Sequence, residues 1–250
     1  FSAHVYDRGE KEEITRQQIE ESGIDLIWAH NNGLVTDEWA NEYGWTLVNN
    51  TAEFEALEEG ERSFGAFDGN LWNADTGADS PNLSTLTEKA VDMLDDDEDG
   101  FFLMVEGGKI DWAAHSNDLA GTIFEMLDFD QAIAVAYEFY KKHPQETLIV
   151  VTADHETGGV TLGREKGYAY DLSVVKQAEK ATEGTDVSNY MNDISKDSLS
   201  VVAKIGWTTT SHTGGAVPVF AIGAGSGMFA GRQDNTDIPK KICKAMGVEF

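Results

Sequence analysis

The stretch Phe101-Phe102-Leu103-Met104-Val105-Glu106-Gly107-Gly108-Lys109-Ile110-Asp111-Trp112-Ala113-Ala114-His115 carries the reading of this chain. Its first five residues are all apolar, the pattern of a strand buried on both faces of a parallel sheet. Two glycines then let the backbone turn tightly. Asp111 and His115 follow, four residues apart. A helical turn begun here puts both side chains on one face, where together they can hold one metal ion.

Working outward, residues 147–152 and 218–222 read as two further buried strands, and 24–28, 45–48 and 63–67 as short ones. Helical character covers 10–21, 36–43, 84–94 (with Leu86, Ala90 and Leu94 on one stripe) and 117–142. A last helix starts at Thr236 or Asp237, with Pro239 in its first turn. The rest of 50–82, rich in Gly, Asn and Asp, reads as loop. Strands alternating with helices predict the α/β class, a mostly parallel central sheet with helices on both faces. The 250 residues read as one domain, with the polar, weakly periodic segment 176–200 as an insertion over the core.

Asp and Glu number 45 against 18 Lys and Arg, a net charge of −27. That excludes a nucleic-acid partner, since phosphate backbones require a basic face. It suits a solvated surface and a saline setting, where screening over about 10 Å relieves self-repulsion. The acidic run Asp95-Asp96-Asp97-Glu98-Asp99 reads as a solvated loop, because it lacks the ligand spacing of a calcium-binding loop. No apolar run approaches the roughly 20 residues needed to span a membrane. The single cysteine, Cys243, reads as a buried thiol on the last helix, and no intrachain disulfide is possible.

Ligands of open α/β sheets bind beyond the carboxyl ends of the strands. After 101–105 come Glu106, Asp111 and His115; after 147–152 come Asp154 and His155; before 218–222 comes His212. Imidazole nitrogen with carboxylate oxygen is a donor set suited to zinc. Each of these histidines taken alone is as well explained as a hydrogen-bonded structural residue. Three of the chain's six, each placed with carboxylates or glycine turns at strand ends, favour metal. His30 and His143 lack such a setting; His30 reads as structural and His143, before Pro144 in a turn, as exposed.

The segment 105–115, with Thr152-Ala153-Asp154-His155-Glu156 and Ser211-His212-Thr213-Gly214, resembles the three metal-binding motifs of the alkaline phosphatases, in their order and spacing over 83–250. Phe229-Ala230-Gly231 and Asp234-Asn235-Thr236-Asp237-Ile238 are similar too. The resemblance implies a phosphate monoester hydrolase with two Zn2+ and one Mg2+. Asp111, His115 and His212 would ligate one zinc, Asp154 and His155 the second, and Glu106 the magnesium. Ala3-His4-Val5-Tyr6-Asp7-Arg8 resembles the segment whose arginine, here Arg8, clamps the phosphate as a guanidinium fork. Trp112 stands where the family varies, and its Trp form resembles marine and other environmental bacterial enzymes. A periplasmic or extracellular location and a homodimer are further implications.

The chain departs from the family in one respect that bears on activity. The family's nucleophilic serine lies in an Asp-Ser-Ala-type motif upstream of the Arg8 position. Here Asp79-Ser80 is followed by Pro81 and Asp197-Ser198 by Leu199, so neither pair fits. The expectation is therefore an alkaline phosphatase whose serine and first strands lie upstream of these residues. An upstream segment of the same protein would complete the site, and residues 1–250 would be inactive alone. Two other readings stay open: a phosphodiesterase or sulfatase relative on the same fold, and a non-catalytic metal- or phosphate-binding fragment.

Overall fold

The computed structural model describes residues 2–68, 79, 81–164, 169–171, 173 and 196–249. The chain divides into two compact units, Phe1–Val105 and Glu106–Phe250.

The N-terminal unit runs α1 (Lys11–Glu20), β1 (Leu26–His30), α2 (Asp37–Glu42), β2 (Thr46–Val48), α3 (Thr51–Glu55), β3 (Ser63–Phe67) and α4 (Leu83–Leu94). Its three strands form a parallel sheet in the order β1-β3-β2, with Leu26 and Thr46 both in register with Ser63. All five residues of the central β3 are buried, as expected of a parallel strand covered on both faces. Ile19, Ala40, Trp45, Phe64 and Ala66 pack as one cluster, and Val48, Phe54, Leu57, Phe67 and Met93 as another. The buried Trp45 meets its one polar obligation by donating its indole N–H to the Ile19 carbonyl at 2.8 Å.

Helices α2, α3 and α4 start on capping side chains. Thr36 accepts from the Trp39 amide, Asn50 from Glu53 and Asn82 from Thr85. Helix α3 lies in the stretch whose composition reads as loop. At five residues it is too short for periodicity to register, and its signal is the reciprocal pair in which Asn50 caps the Glu53 amide while Glu53 accepts from the Asn49 amide at 2.8 Å. In α4 the buried positions are Thr87, Ala90, Val91 and Met93, so the inward stripe is rotated from the expected Leu86, Ala90 and Leu94.

The α/β class with a parallel sheet is what the chain has, but residues 101–105 take a different place from the one expected. They stand in none of the sheets of the described residues. Burial alternates along them, with Phe102 43 % and Met104 49 % exposed. Hydrophobicity reports a tendency to be covered. It does not supply the neighbouring strand a ladder requires.

The C-terminal unit runs α5 (Gly108–His115), α6 (Leu119–Lys142), β4 (Leu148–Val151), β5 (Glu156–Thr157), β6 (Thr161–Leu162), α7 (Lys196–Ala203), β7 (Ile205–Gly206), β8 (His212–Thr213), β9 (Phe220–Gly223) and α8 (Asp237–Met246). Its strands pair concentrically as β4 with β9, β5 with β8 and β6 with β7, all antiparallel. The expected parallel relation of β4 and β9 is thus reversed locally. The chain goes out along β4, β5 and β6 and returns along β7, β8 and β9, a path that needs no crossover. Of the proposed insertion, residues up to 195 lie outside the described ones. Its last two, Leu199 and Ser200, are buried, and Leu199 packs with Leu119, Ala120, Ala203 and Ile205. Cys243 is half-buried. Among the described residues no helix is long and apolar enough to cross a membrane.

Candidate metal centre

Helix α5 places the first two groups. Gly107 precedes it where a Cβ would come within 2.9 Å of the Ile110 terminal methyl and 3.1 Å of the Phe129 ring, so a larger residue there would require these side chains to shift. Along α5 the four-residue spacing brings Asp111 Oδ1 to 3.4 Å from His115 Nε2. The third group comes from ninety-odd residues on, through the β5–β8 ladder, which sets Thr157 opposite His212. His212 Nε2 lies 3.1 Å from His115 Nε2 and 3.8 Å from Asp111 Oδ1. Three atoms at these separations share a point roughly 2.0 Å from each, the zinc–nitrogen and zinc–oxygen distance.

Hydrogen bonding sets the tautomers. His115 Nδ1 faces the Thr210 carbonyl at 2.7 Å. A carbonyl only accepts, so Nδ1 carries the proton and the Nε2 lone pair points into the cluster. Thr157 donates its hydroxyl to Asp111 Oδ1 at 2.7 Å. Having spent its one proton there, it accepts from His155 Nδ1–H at 3.1 Å, which leaves His155 Nε2 as the free donor atom. Outer partners that orient imidazoles in this way are the usual surroundings of a metal ligand. The donor set therefore fits a zinc ion.

The other expected site residues fall as follows. His155 stacks on His212 with ring centroids 3.6 Å apart, and its Nε2 lies 3.1 Å from Asp154 Oδ2, so the second expected pair sits against the first cluster. Asp154 is 85 % exposed and offers its carboxylate outward. Glu106 is exposed and folds back over Gly108, outside the three-residue group. Arg8 lies on an exposed turn of the N-terminal unit. Trp112 is 56 % exposed, with the Lys109 ammonium 3.8 Å above its ring. Sequence reasoning missed Thr157, which ties Asp111 to His155; its one signal was a hydroxyl two residues past a ligand pair.

Glu125 of α6 is buried, and among the described residues its Oε1 has no hydrogen-bond partner. Burial first, and the nearby Asp128 second, push its carboxyl up to about 8, with Lys109 opposing. Burial in turn lowers the Lys109 ammonium.

With this geometry in hand, the comparisons with known proteins decide the family. The profile described as alkaline phosphatase matches residues 5–248. The chain belongs to the alkaline phosphatase family. It is 38 % identical to alkaline phosphatase 3 of Bacillus subtilis over 69 % of this chain and 46 % of that protein. To alkaline phosphatase 4 of the same organism it is 40 % identical over 72 % of this chain and 47 % of that protein. The crystal structure of a cold-active alkaline phosphatase from a psychrophilic Shewanella superposes with a TM-score of 0.81 at 31 % identity, covering 98 % of this chain and 71 % of that one. The chain thus spans about half the length of the Bacillus alkaline phosphatases it matches.

Proposed function

We propose that this chain is the metal-binding part of a phosphate monoester hydrolase that works through a phosphoserine intermediate. Two zinc ions and one magnesium ion would serve it, in the periplasm or outside the cell. The observation that supports this most is the convergence of Asp111 Oδ1, His115 Nε2 and His212 Nε2 on a common point, with the His115 tautomer already set. Asp111, His115 and His212 would hold one zinc, Asp154 and His155 the second, and Glu106 the magnesium, a hard cation that prefers carboxylate oxygen. Bound zinc supplies Lewis-acid stabilisation of the oxygens that attack and leave phosphorus. The protein's own part is to orient. The Thr210 carbonyl keeps the His115 proton on Nδ1, the Thr157 hydroxyl holds Asp111, and the Arg8 guanidinium would grip two phosphoryl oxygens.

None of these 250 residues supplies a serine in the family's nucleophile motif, so the serine is proposed to come from outside them. The test is to purify residues 1–250, add zinc and magnesium, and assay both metal content and p-nitrophenyl phosphate hydrolysis at alkaline pH. Bound zinc with no turnover is the expected result. Robust turnover by the chain alone would falsify the missing-serine reading, and absence of zinc would remove the metal centre itself.

A further inference from the structure

The ladder that delivers His212 to the cluster is two residues long. Its pairs are Glu156 with Thr213 and Thr157 with His212. Directly paired residues share a face and successive residues alternate. One face therefore carries the site, with Thr157 holding Asp111 and His212 reaching His115. The opposite face carries Glu156 and Thr213. A slip of one residue would exchange the two faces and turn His212 away from Asp111 and His115. So short a ladder has few backbone bonds with which to resist that slip. The bonds it borrows come from the Gly158 turn, whose N–H donates to the Ser211 carbonyl at 3.0 Å and whose carbonyl accepts from the Thr208 amide at 3.0 Å.

On the opposite face the contacts are unusually complete. The Thr213 hydroxyl donates to Glu156 Oε2. The Gly159 amide donates to both carboxylate oxygens, at 2.9 Å and 3.2 Å. The Gly215 amide donates to the Thr213 hydroxyl at 3.2 Å. Glu156 thus joins the turn that ends β5, the residue after His212 on β8, and the glycine turn beyond it. Among the described residues no cation lies in these contacts. The donors that engage the carboxylate there are neutral groups of the two strands and their turns, an arrangement that holds backbone in place.

We propose that Glu156 is a positioning residue for the metal centre, a register clamp on the β5–β8 ladder that keeps His212 facing Asp111 and His115. This rests on the metal-centre reading above. Glu156 touches none of the three ligand atoms, and its effect on them runs through Thr213 and the strand.

Zinc affinity, measured on the 250-residue chain by competition with a chromophoric chelator, tests the proposal without reference to activity. Glu156→Ala should weaken zinc binding about tenfold or more, within the range for outer-shell partners. Glu156→Gln keeps an acceptor for the Gly159 amide and a group to pair with the Thr213 hydroxyl, and should restore affinity to within about threefold of the starting chain. Thr213→Val removes only the hydroxyl and serves if Glu156→Ala does not fold. It should fall in the same direction, and its effect should not add to that of Glu156→Ala. A Glu156→Ala chain with a lowered Tm and unchanged zinc affinity would make the residue merely structural and overturn the proposal, as would unchanged affinity in Thr213→Val. If the starting chain itself binds no zinc, the metal-centre reading fails first and the clamp with it, an outcome distinct from loss of the clamp alone.

Discussion

In the N-terminal unit all five residues of β3 are buried and its neighbours run parallel to it. In the C-terminal unit the strands that carry the metal-centre residues are two residues long, antiparallel, and no more than half-buried. Position in the first is specified by apolar side chains filling space between sheet and helices. In the second it is specified by hydroxyls, carboxylates and glycine turns, each satisfying a named partner. Gly158 and Gly159 lie at φ +85° and +61°, and a Cβ on Gly158 would stand 2.7 Å from the Trp207 ring. The difference teaches where substitutions should be felt. Losses in the N-terminal unit should appear as stability, and losses around β5 and β8 as metal affinity.

The largest effect expected from this contrast is on stability. Phe54 is 1 % exposed and packs edge-on against Trp28 and Phe67. Phe54→Ala should cost about 3–5 kcal/mol through lost contacts and the cavity left behind. Denaturant unfolding measures it, and a loss below about 1 kcal/mol would show that the core collapses around the gap. Next comes His212, whose side chain is half exposed and fills no core. His212→Ala should leave the metal-free Tm nearly unchanged while zinc affinity drops by about 100-fold or more, since one of three ligand atoms is gone. Equal losses in both measurements would erase the distinction between the two regions.

A smaller loss should follow Thr157→Val, which keeps the β-branched shape and removes the hydroxyl between Asp111 and His155. Zinc binding should weaken about tenfold, or about 1.4 kcal/mol. Calorimetric titration of the two chains side by side checks it, and identical affinities would show that Asp111 needs no outer partner.

The last prediction is a pH dependence. The Glu125 carboxyl is raised in the folded chain from 4.5 to about 8, so the folded state binds this proton more tightly than the unfolded state. Its contribution to stability is fully present below about 4.5 and is lost as pH rises through about 8. Glu125→Gln should therefore flatten the fall of Tm between pH 5 and 9 and leave the variant a few degrees more stable at the alkaline end. Melting curves of both chains that stay parallel across that range would place the group's titration elsewhere.

Much of this was legible before any fold was known. Asp111 and His115 could be paired from their spacing because a helix brings residues four apart onto one face whatever surrounds it. The helices near 11–20, 37–42 and 119–142, the last capped by Asp118, follow from periodicity and end chemistry of the same short range. That His155 and His212 come close to one another and to His115 was also foreshadowed by acidic neighbours and glycine turns at strand ends.

What the sequence could not decide is which strand lies beside which. Residues 101–105 are the strongest apolar run, yet they join no sheet of the described residues, while the shorter, glycine-containing β3 became the most buried strand. β4 and β9 have the apolar character of parallel strands and pair antiparallel, because the chain between them goes out and returns instead of crossing over. Thr157 and Glu156 looked like ordinary strand residues, and acquired their partners only when 156–157 met 212–213. Periodicity and capping act over three or four residues and can be read from one stretch of chain. The partners in the β4–β9 and β5–β8 ladders lie more than fifty residues apart, and their choice is made by the path of everything between them.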